Sequence, residues 1–234
     1  MPYQRIVANI SQLGWVDGLF FLTARTLSKL TGRRARIIRY HIMAQPVQCG
    51  AYPTRPSNKT TIGLIDHGDP FTEQFPRAPE VVAQRYRSGS RCLAAKSGDR
   101  FAGFIWLARG GYDEDMVRCR YEFAYPAESA WDFDVFVDPD FRVGRTFVRL
   151  WDATNEQLRS EGVRWCFSRI ESSNPGSLHA HRRLGIRKLF SVTFVCLGPV
   201  QLTFAGAAPY VHVSLSQRSR PTLRLSPPRQ HGSA

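Results

Sequence analysis

Apolar and polar positions change period repeatedly between Trp131 and Ile186, and the changes predict a run of strand, turn, helix, strand and helix. Trp131 to Val137 alternates aromatic or β-branched residues with Asp132 and Asp134, the pattern of a strand with one buried face and the two aspartates together on one side. Asp138-Pro139-Asp140 stops it, because proline cannot extend a ladder and favours a turn. From Thr146 the repeat lengthens: Phe147, Leu150, Trp151, Thr154 and Leu158 make one helical stripe, which Gly162 ends. Val163 to Ile170 is β-branched and aromatic enough for a buried strand. Asn174-Pro175 then starts a second helix, with asparagine as cap and proline at the first helical position, and Gly185 closes it.

The flanking sequence follows the same rules. Leu19, Leu22, Leu27 and Leu30 alternate with Arg25 and Lys29, an amphipathic helix that Gly32 ends. Such a helix either packs its apolar side on its own domain or lies on a membrane surface. Its apolar centre, Trp15 to Leu22, is broken by Asp17 and matches neither a signal peptide nor a membrane span. Arg36 to Val47 is a first strand, and the prolines and glycine of Gln48 to Lys59 make a loop. Thr60 to Pro70 gathers Asp66, His67 and Asp69, a cluster able to bind an acceptor amine or a metal, but its spacing matches no metal motif and the alternative reading is a surface turn. Arg77 to Ser88 is a short helix. Arg91 to Lys96 and Phe101 to Ala108 form a hairpin around Ser97-Gly98-Asp99-Arg100. Val117 to Phe123 alternates as a half-exposed strand, and Arg187 to Leu197, Val200 to Phe204 and Tyr210 to Leu215 follow as strands after Gly185. From Gln217 the composition turns to Ser, Pro, Arg and Gln and reads as disordered.

Composition narrows the class. The chain has 234 residues, 43% hydrophobic and 12% aromatic, enough for one globular domain with decorations. The net charge of +13 is concentrated in residues 1 to 60, nine Lys or Arg against one acid, and 216 to 234, four against none. Basic ends suit an anionic partner or simple solubility, but no aromatic-basic recognition motif accompanies them, which argues against nucleic acid. Cys49, Cys92, Cys119, Cys166 and Cys196 are scattered without a Cys-x-x-Cys pair, which fits core packing in a reducing cytoplasm rather than a disulfide framework or a zinc site.

Chemistry concentrates at the turn between Pro139 and Phe147. A strand that turns directly into a helix aims backbone N–H groups and the positive end of the helix dipole at one spot, where anions bind. Arg142 and Arg145 add charge there. Read alone, the same stretch is also an ordinary solvated helix start.

The order of these elements, with Val137, Pro139 and Arg142 at the strand end and Asn174, Ser177, His181, Gly185 and Ile186 in the second helix, resembles the central half of the GNAT acyltransferase superfamily. The resemblance implies an α+β fold in α/β/α layers, with a mixed, mostly antiparallel central sheet and flanking helices. It implies acetyl-CoA, or another acyl-CoA, as the cofactor, held by Val135, Phe136, Val137, Arg142, Val143, Gly144, Arg145, Thr146, Phe147, Asn174 and Ser177, with strand amides polarising the thioester carbonyl. His181 stands where the family has a tyrosine that protonates the leaving thiolate, and an imidazolium near neutral pH is a competent donor; the alternative is a helix-surface histidine. Asp132, Asp134 and Glu122 are the candidate bases, or structural partners of Arg118 and Arg120. The chain departs from the family at the loop, where Arg145 and Phe147 hold the small positions and the only glycine, Gly144, sits one place early. Bulk there crowds a pyrophosphate, whereas a guanidinium contacts it.

The expectation is a bacterial, cytoplasmic N-acyltransferase that moves an acyl group directly to an amine of unknown identity. The alternative is an inactive module of the same fold that binds acyl-CoA or a partner. The expected divisions are an amphipathic helical segment over 1–35, the acyltransferase domain over 36–215 and a disordered basic tail over 216–234. The first helix is the candidate for peripheral contact with the inner membrane, and no metal is expected.

Overall fold

In chain order, the computed structural model contains α1 (Trp15–Leu30), β1 (Ala35–Pro46), β2 (Thr60–Ile65), α2 (Pro79–Arg87), β3 (Arg91–Ser97) and β4 (Arg100–Ala108). There follow β5 (Tyr112–Asp113), β6 (Arg120–Phe123), β7 (Ser129–Val137), α3 (Thr146–Ser160), β8 (Trp165–Glu171) and α4 (Pro175–Arg182). The chain ends with β9 (Arg187–Leu197), β10 (Val200–Ala205), β11 (Val211–Ser214) and β12 (Thr222–Leu225). The structure describes residues 13–32, 34–48, 60–142, 145–182 and 184–228. It divides into two compact units, here called central (Pro46–Gly111 and Tyr125–Phe167) and terminal (Met1–Gln45, Tyr112–Ala124 and Ser168–Ala234) for their places in the sequence.

In the central unit the strand order is β7-β4-β3-β2, all antiparallel. The β3–β4 hairpin turns at Gly98, whose φ of 59° is in the left-handed region that such a tight turn needs. One sheet face is aromatic. Phe71 and Phe75, from a 3-10 turn at Pro70–Gln74, pack with Phe101, Phe104, Trp106 and Val82 of α2, and Phe133, Phe136 and Tyr86 close over them. The other face carries α3, which buries Leu150, Trp151, Thr154 and Leu158 of the expected stripe and leaves Phe147 half-buried. Gly103 permits that approach: a Cβ there would lie 2.6 Å from the Phe136 carbonyl oxygen and 3.1 Å from Leu150 Cδ1. Past the end of α3, Glu161 is clamped by Arg91, with both bonds at 2.6 Å, and by Arg109 at 3.2 Å.

Strand β7 differs from the simple alternation in its sequence. Trp106 pairs with Asp134 and Leu107 with Asp132, so Phe133 is an extra residue, a β-bulge. Adjacent residues of β4 point to opposite faces, and their partners do the same. Asp134 therefore joins the aromatic face and Asp132 the α3 face, which corrects the expectation that the two aspartates share one side.

In the terminal unit the order is β11-β10-β9-β1, again antiparallel, and β5, β6 and β12 form a small second sheet. Helix α1 is tied to β1 by Asp17, which accepts from Arg39 Nε at 2.9 Å. Its leucine stripe splits: Leu22 and Leu27 are half-buried, while Leu19 and Leu30 face solvent. The half-exposed strand expected over Val117–Phe123 is shortened to β6, because the Glu114 N–H bonds the Cys119 carbonyl and makes a turn of the residues before it.

The largest correction concerns the end of the chain. Residues 222–225 are not disordered but form β12, which pairs parallel to β6 and fully buries Leu223 and Leu225. The alternation of Leu223 and Leu225 supplies the buried face that the surrounding Ser, Pro and Arg obscure. Residues 229–234, and 1–12 at the other end, lie outside the described residues. Leu223→Ala is expected to cost about 2–4 kcal/mol in urea unfolding, where an undocked tail would show no change.

Candidate active site

The turn after β7 is built entirely within the central unit. Asp138 N–H donates to the Ala102 carbonyl at 3.0 Å, so by the alternation of an antiparallel ladder Phe136 also faces β4 with its N–H, while the N–H groups of Val135 and Val137 point to the opposite edge. The Val137 carbonyl points the same way, and Arg142 Nε donates to it at 3.0 Å. That bond holds the Arg142 guanidinium at the end of β7, 5.8 Å from the centroid of the Phe136 ring. A 3-10 turn, Pro139–Phe141, links the strand to α3, with Asp138 as its cap accepting from Asp140 N–H at 3.0 Å. Helix α3 then starts without a side-chain cap, and Arg145 at its cap position is exposed. Thr146 is buried in the first turn. Val143 and Gly144 lie outside the described residues.

The residues present fit an anionic diphosphate on the evidence of that helix start. An uncapped N-terminus with 15 residues of aligned dipole behind it is flanked by two exposed guanidiniums. The bulk that sequence places at Arg145 is turned outward as charge.

The candidate bases are placed differently from one another. Asp134 accepts from Arg77 through both oxygens, at 2.8 and 2.7 Å, and from Arg85 at 2.8 Å. The two guanidiniums also lie over the aromatic face, Arg77 by Phe104 and Phe136 and Arg85 by Trp106 and Phe133. Both oxygens of Asp134 are thus engaged in a cross-link between the α2 region and β7. Asp132 is buried on the other face, with Cys166 Sγ 3.6 Å from its Oδ2. Glu122 is in the small sheet of the terminal unit, where it accepts from Arg120 at 2.9 Å.

The second motif lies in the terminal unit. Asn174 Oδ1 accepts from Ser177 N–H at 3.0 Å, the expected helix cap. His181, one turn on, is buried; its Nδ1 is 2.8 Å from the Ser177 carbonyl oxygen and 3.4 Å from Ser177 Oγ. Burial pushes its pKa below the ordinary 6.5, and the bond to Ser177 only partly opposes this. At neutral pH the ring is therefore neutral, with the proton on Nδ1 donated to Ser177. The imidazolium expected near neutral pH is not the resting form, and the ring is not at the helix surface.

A second histidine escapes the sequence reading. His41 on β1 is buried between Asp17, 3.0 Å from its Nε2, and Ser191, 2.9 Å from its Nδ1. Burial lowers its pKa, with the Asp17 charge opposing. The carboxylate can only accept, so Nε2 carries the proton and Nδ1 takes one from the Ser191 hydroxyl. The interruption of an apolar run by Asp17 was the available signal, but its partners Arg39 and His41 are 22 and 24 residues away. Beside this array a cavity of about 300 Å³ is lined by Phe20, Phe21, Arg25, Ile37, Arg39 and Glu171, among others.

Among the described residues, no group of three or more His, Cys, Asp or Glu is placed to hold a metal. Cys92, Cys119, Cys166 and Cys196 are free and buried, and burial pushes the Cys119 thiol up to about 12, far from a resting nucleophile.

The sequence profile of the acetyltransferase (GNAT) family matches residues 64–186, more than half of the chain and both motifs. The chain belongs to that family, whose members use acetyl-CoA. Among solved structures it is similar to a functionally unknown conserved protein from Staphylococcus epidermidis ATCC 12228, at 12% identity and a TM-score of 0.49, covering 73% of this chain and 66% of that one. It is also similar to a GNAT family acetyltransferase from Elizabethkingia anophelis with acetyl-CoA bound, at 16% identity, TM-score 0.40, and 54% and 75% coverage. A third is an aminoglycoside acetyltransferase from an uncultured soil metagenomic sample in complex with sisomicin, at 14% identity, TM-score 0.41, and 54% and 88% coverage. None of the curated proteins compared matches the chain.

The two depressed histidines set a pH dependence. Below about pH 6.5 the unfolded chain takes up protons that folded His41 and His181 resist, so stability is full above that pH and falls as pH drops toward the folded values. His181→Gln is expected to flatten part of the fall in melting temperature between about pH 7.5 and 5.5; an unchanged slope would mean that His181 titrates normally in the folded chain.

Proposed function

We propose that this acetyltransferase transfers the acyl group of acetyl-CoA, or of another acyl-CoA, directly to an amine nitrogen. The observation that carries the reading is the meeting, at the end of β7, of a helix start without a side-chain cap and two exposed arginines, Arg142 and Arg145. In this reading Arg142, Arg145 and the first turn of α3 hold the coenzyme's phosphates, together with Val143 and Gly144. Acetyl-CoA supplies an acyl group activated as a thioester. Val135 and Val137 N–H are the donors toward the oxygen on which charge develops, the role of an oxyanion hole, with Phe136 between them facing β4. Asn174 and Ser177 order the start of α4, from which His181 acts as the acid in its protonated form, a minor species at neutral pH.

Of the candidate bases, Asp134 is engaged through both oxygens by two arginines and Glu122 is ion-paired with Arg120, so neither is proposed as the base. Among the described residues the free cysteines are buried, and burial raises their thiol pKa values, which favours direct transfer over a covalent acyl-enzyme.

Acetyl-CoA at about 100 times its dissociation constant is expected to stabilise the purified chain by about 2.7 kcal/mol. Arg142→Ala with Arg145→Ala is expected to weaken that binding about tenfold or more. The companion assay follows thiol release from acetyl-CoA with a panel of primary amines. Absence of any thermal shift, or equal shifts in the double variant, would overturn the assignment of the phosphate end; binding without amine-dependent thiol release would overturn N-acyl transfer.

A further inference from the structure

The terminal unit holds almost all of the chain's net charge. It contains 18 Lys or Arg against six Asp or Glu, +12, whereas the central unit contains 14 against 13. The same unit also presents an apolar surface. Arg39 pairs with Thr193, Thr193 with Phe204 and Phe204 with Val211, so these four side chains share one sheet face. The next row on that face is Ile37, Val195, Leu202 and Val213. Helix α1 covers the β1 end of the rows, since Asp17 bonds Arg39 and Phe20 lies 4.4 Å from its guanidinium. Toward β11 the rows emerge: Phe204 is 46% exposed, Val213 49% and Val211 60%, with Leu197, Tyr210 and Leu215 exposed around them. No Lys, Arg, Asp or Glu occurs from Leu189 to Gln217, so this edge lacks the charges with which edge strands usually resist pairing.

Helix α1 adds to the same surface. Its outward stripe is Trp15, Val16, Leu19, Thr23, Thr26 and Leu30, without a charge, and Trp15 is 88% exposed. Arg25 and Lys29 flank that stripe in the second half of the helix, and Arg187 and Lys188 are exposed at the start of β9.

We propose that the terminal unit docks on an anionic lipid surface through the outward stripe of α1 and the uncovered face of β10 and β11. Apolar residues enter the interface, Trp15 and Tyr210 sit at headgroup depth, and the basic surround meets lipid phosphates. Charge decides the occupant. A second copy would set +12 against +12 across the contact, while an anionic bilayer complements it. Docking is peripheral, since among the described residues no helix is long and apolar enough to cross a membrane.

The test is flotation of the full chain with vesicles of phosphatidylcholine alone, or with roughly one third phosphatidylglycerol. Four of the five tryptophans are buried, so a blue shift of intrinsic fluorescence on mixing reports Trp15, and Trp15→Phe should abolish it. Binding is expected only with phosphatidylglycerol, to weaken about tenfold or more in roughly 0.5 M salt, and to be lost in Leu19→Glu with Val213→Glu and in Arg25→Glu with Lys29→Glu. All four are exposed positions, so thermal midpoints should stay near wild type, and Val81→Glu on the exposed side of α2 should bind normally. No binding to phosphatidylglycerol vesicles, equal binding to pure phosphatidylcholine, or a sedimenting dimer that Val213→Glu dissolves without any lipid binding would each overturn the proposal.

Discussion

The bulge at Phe133 is the constraint from which the central unit takes its chemistry. One extra residue in β7 sends Asp134 to the aromatic face and Asp132 to the face under α3. The first half of the strand is buried, whereas from Phe133 onward it is half-exposed. Arg77 and Arg85 hold the bulge from one side, bonding Asp134 while lying on the rings of Phe104, Phe136, Trp106 and Phe133. On the other side Gly103 lets α3 close to the sheet. The direction of the Val135 and Val137 amides, and of the helix start beyond them, follows from that fixed strand.

Charge is then used in two ways. At Asp134 and Glu161, arginines meet carboxylates in partly buried clusters and join elements distant in sequence. At Arg142 and Arg145 the side chains are exposed, and within the described residues neither has a carboxylate partner. Surface ion pairs contribute little on their own, so the distinction matters more for binding than for stability. Arginines that are kept out of such pairs beside an uncapped helix start are placed to bind an anion.

How far the sequence was readable differs by element. The helix over Thr146–Ser160, the β3–β4 hairpin and the Asn174 cap were legible because each depends on a local period or a residue and its near neighbours. The bulge was not, since alternation along β7 is intact in sequence and only pairing with β4 breaks it. β12 was hidden because two buried leucines in a Ser, Pro and Arg context acquire meaning only beside β6. The depressed pKa of His181 likewise depends on burial that a helical repeat does not convey. The family resemblance pointed to the candidate site; the particular partners of Asp134, His41 and Arg142 came from tertiary structure.

The central claim is that the end of β7 and the start of α3 receive the acyl-CoA. Amide chemical shifts of an isotopically labelled chain, titrated with acetyl-CoA, test it most directly. The account predicts that the largest changes fall on Val135, Val137, Arg145, Thr146 and the Arg142 side-chain Nε–H, saturating together. Saturable shifts confined to other residues, with these five unmoved, would contradict it.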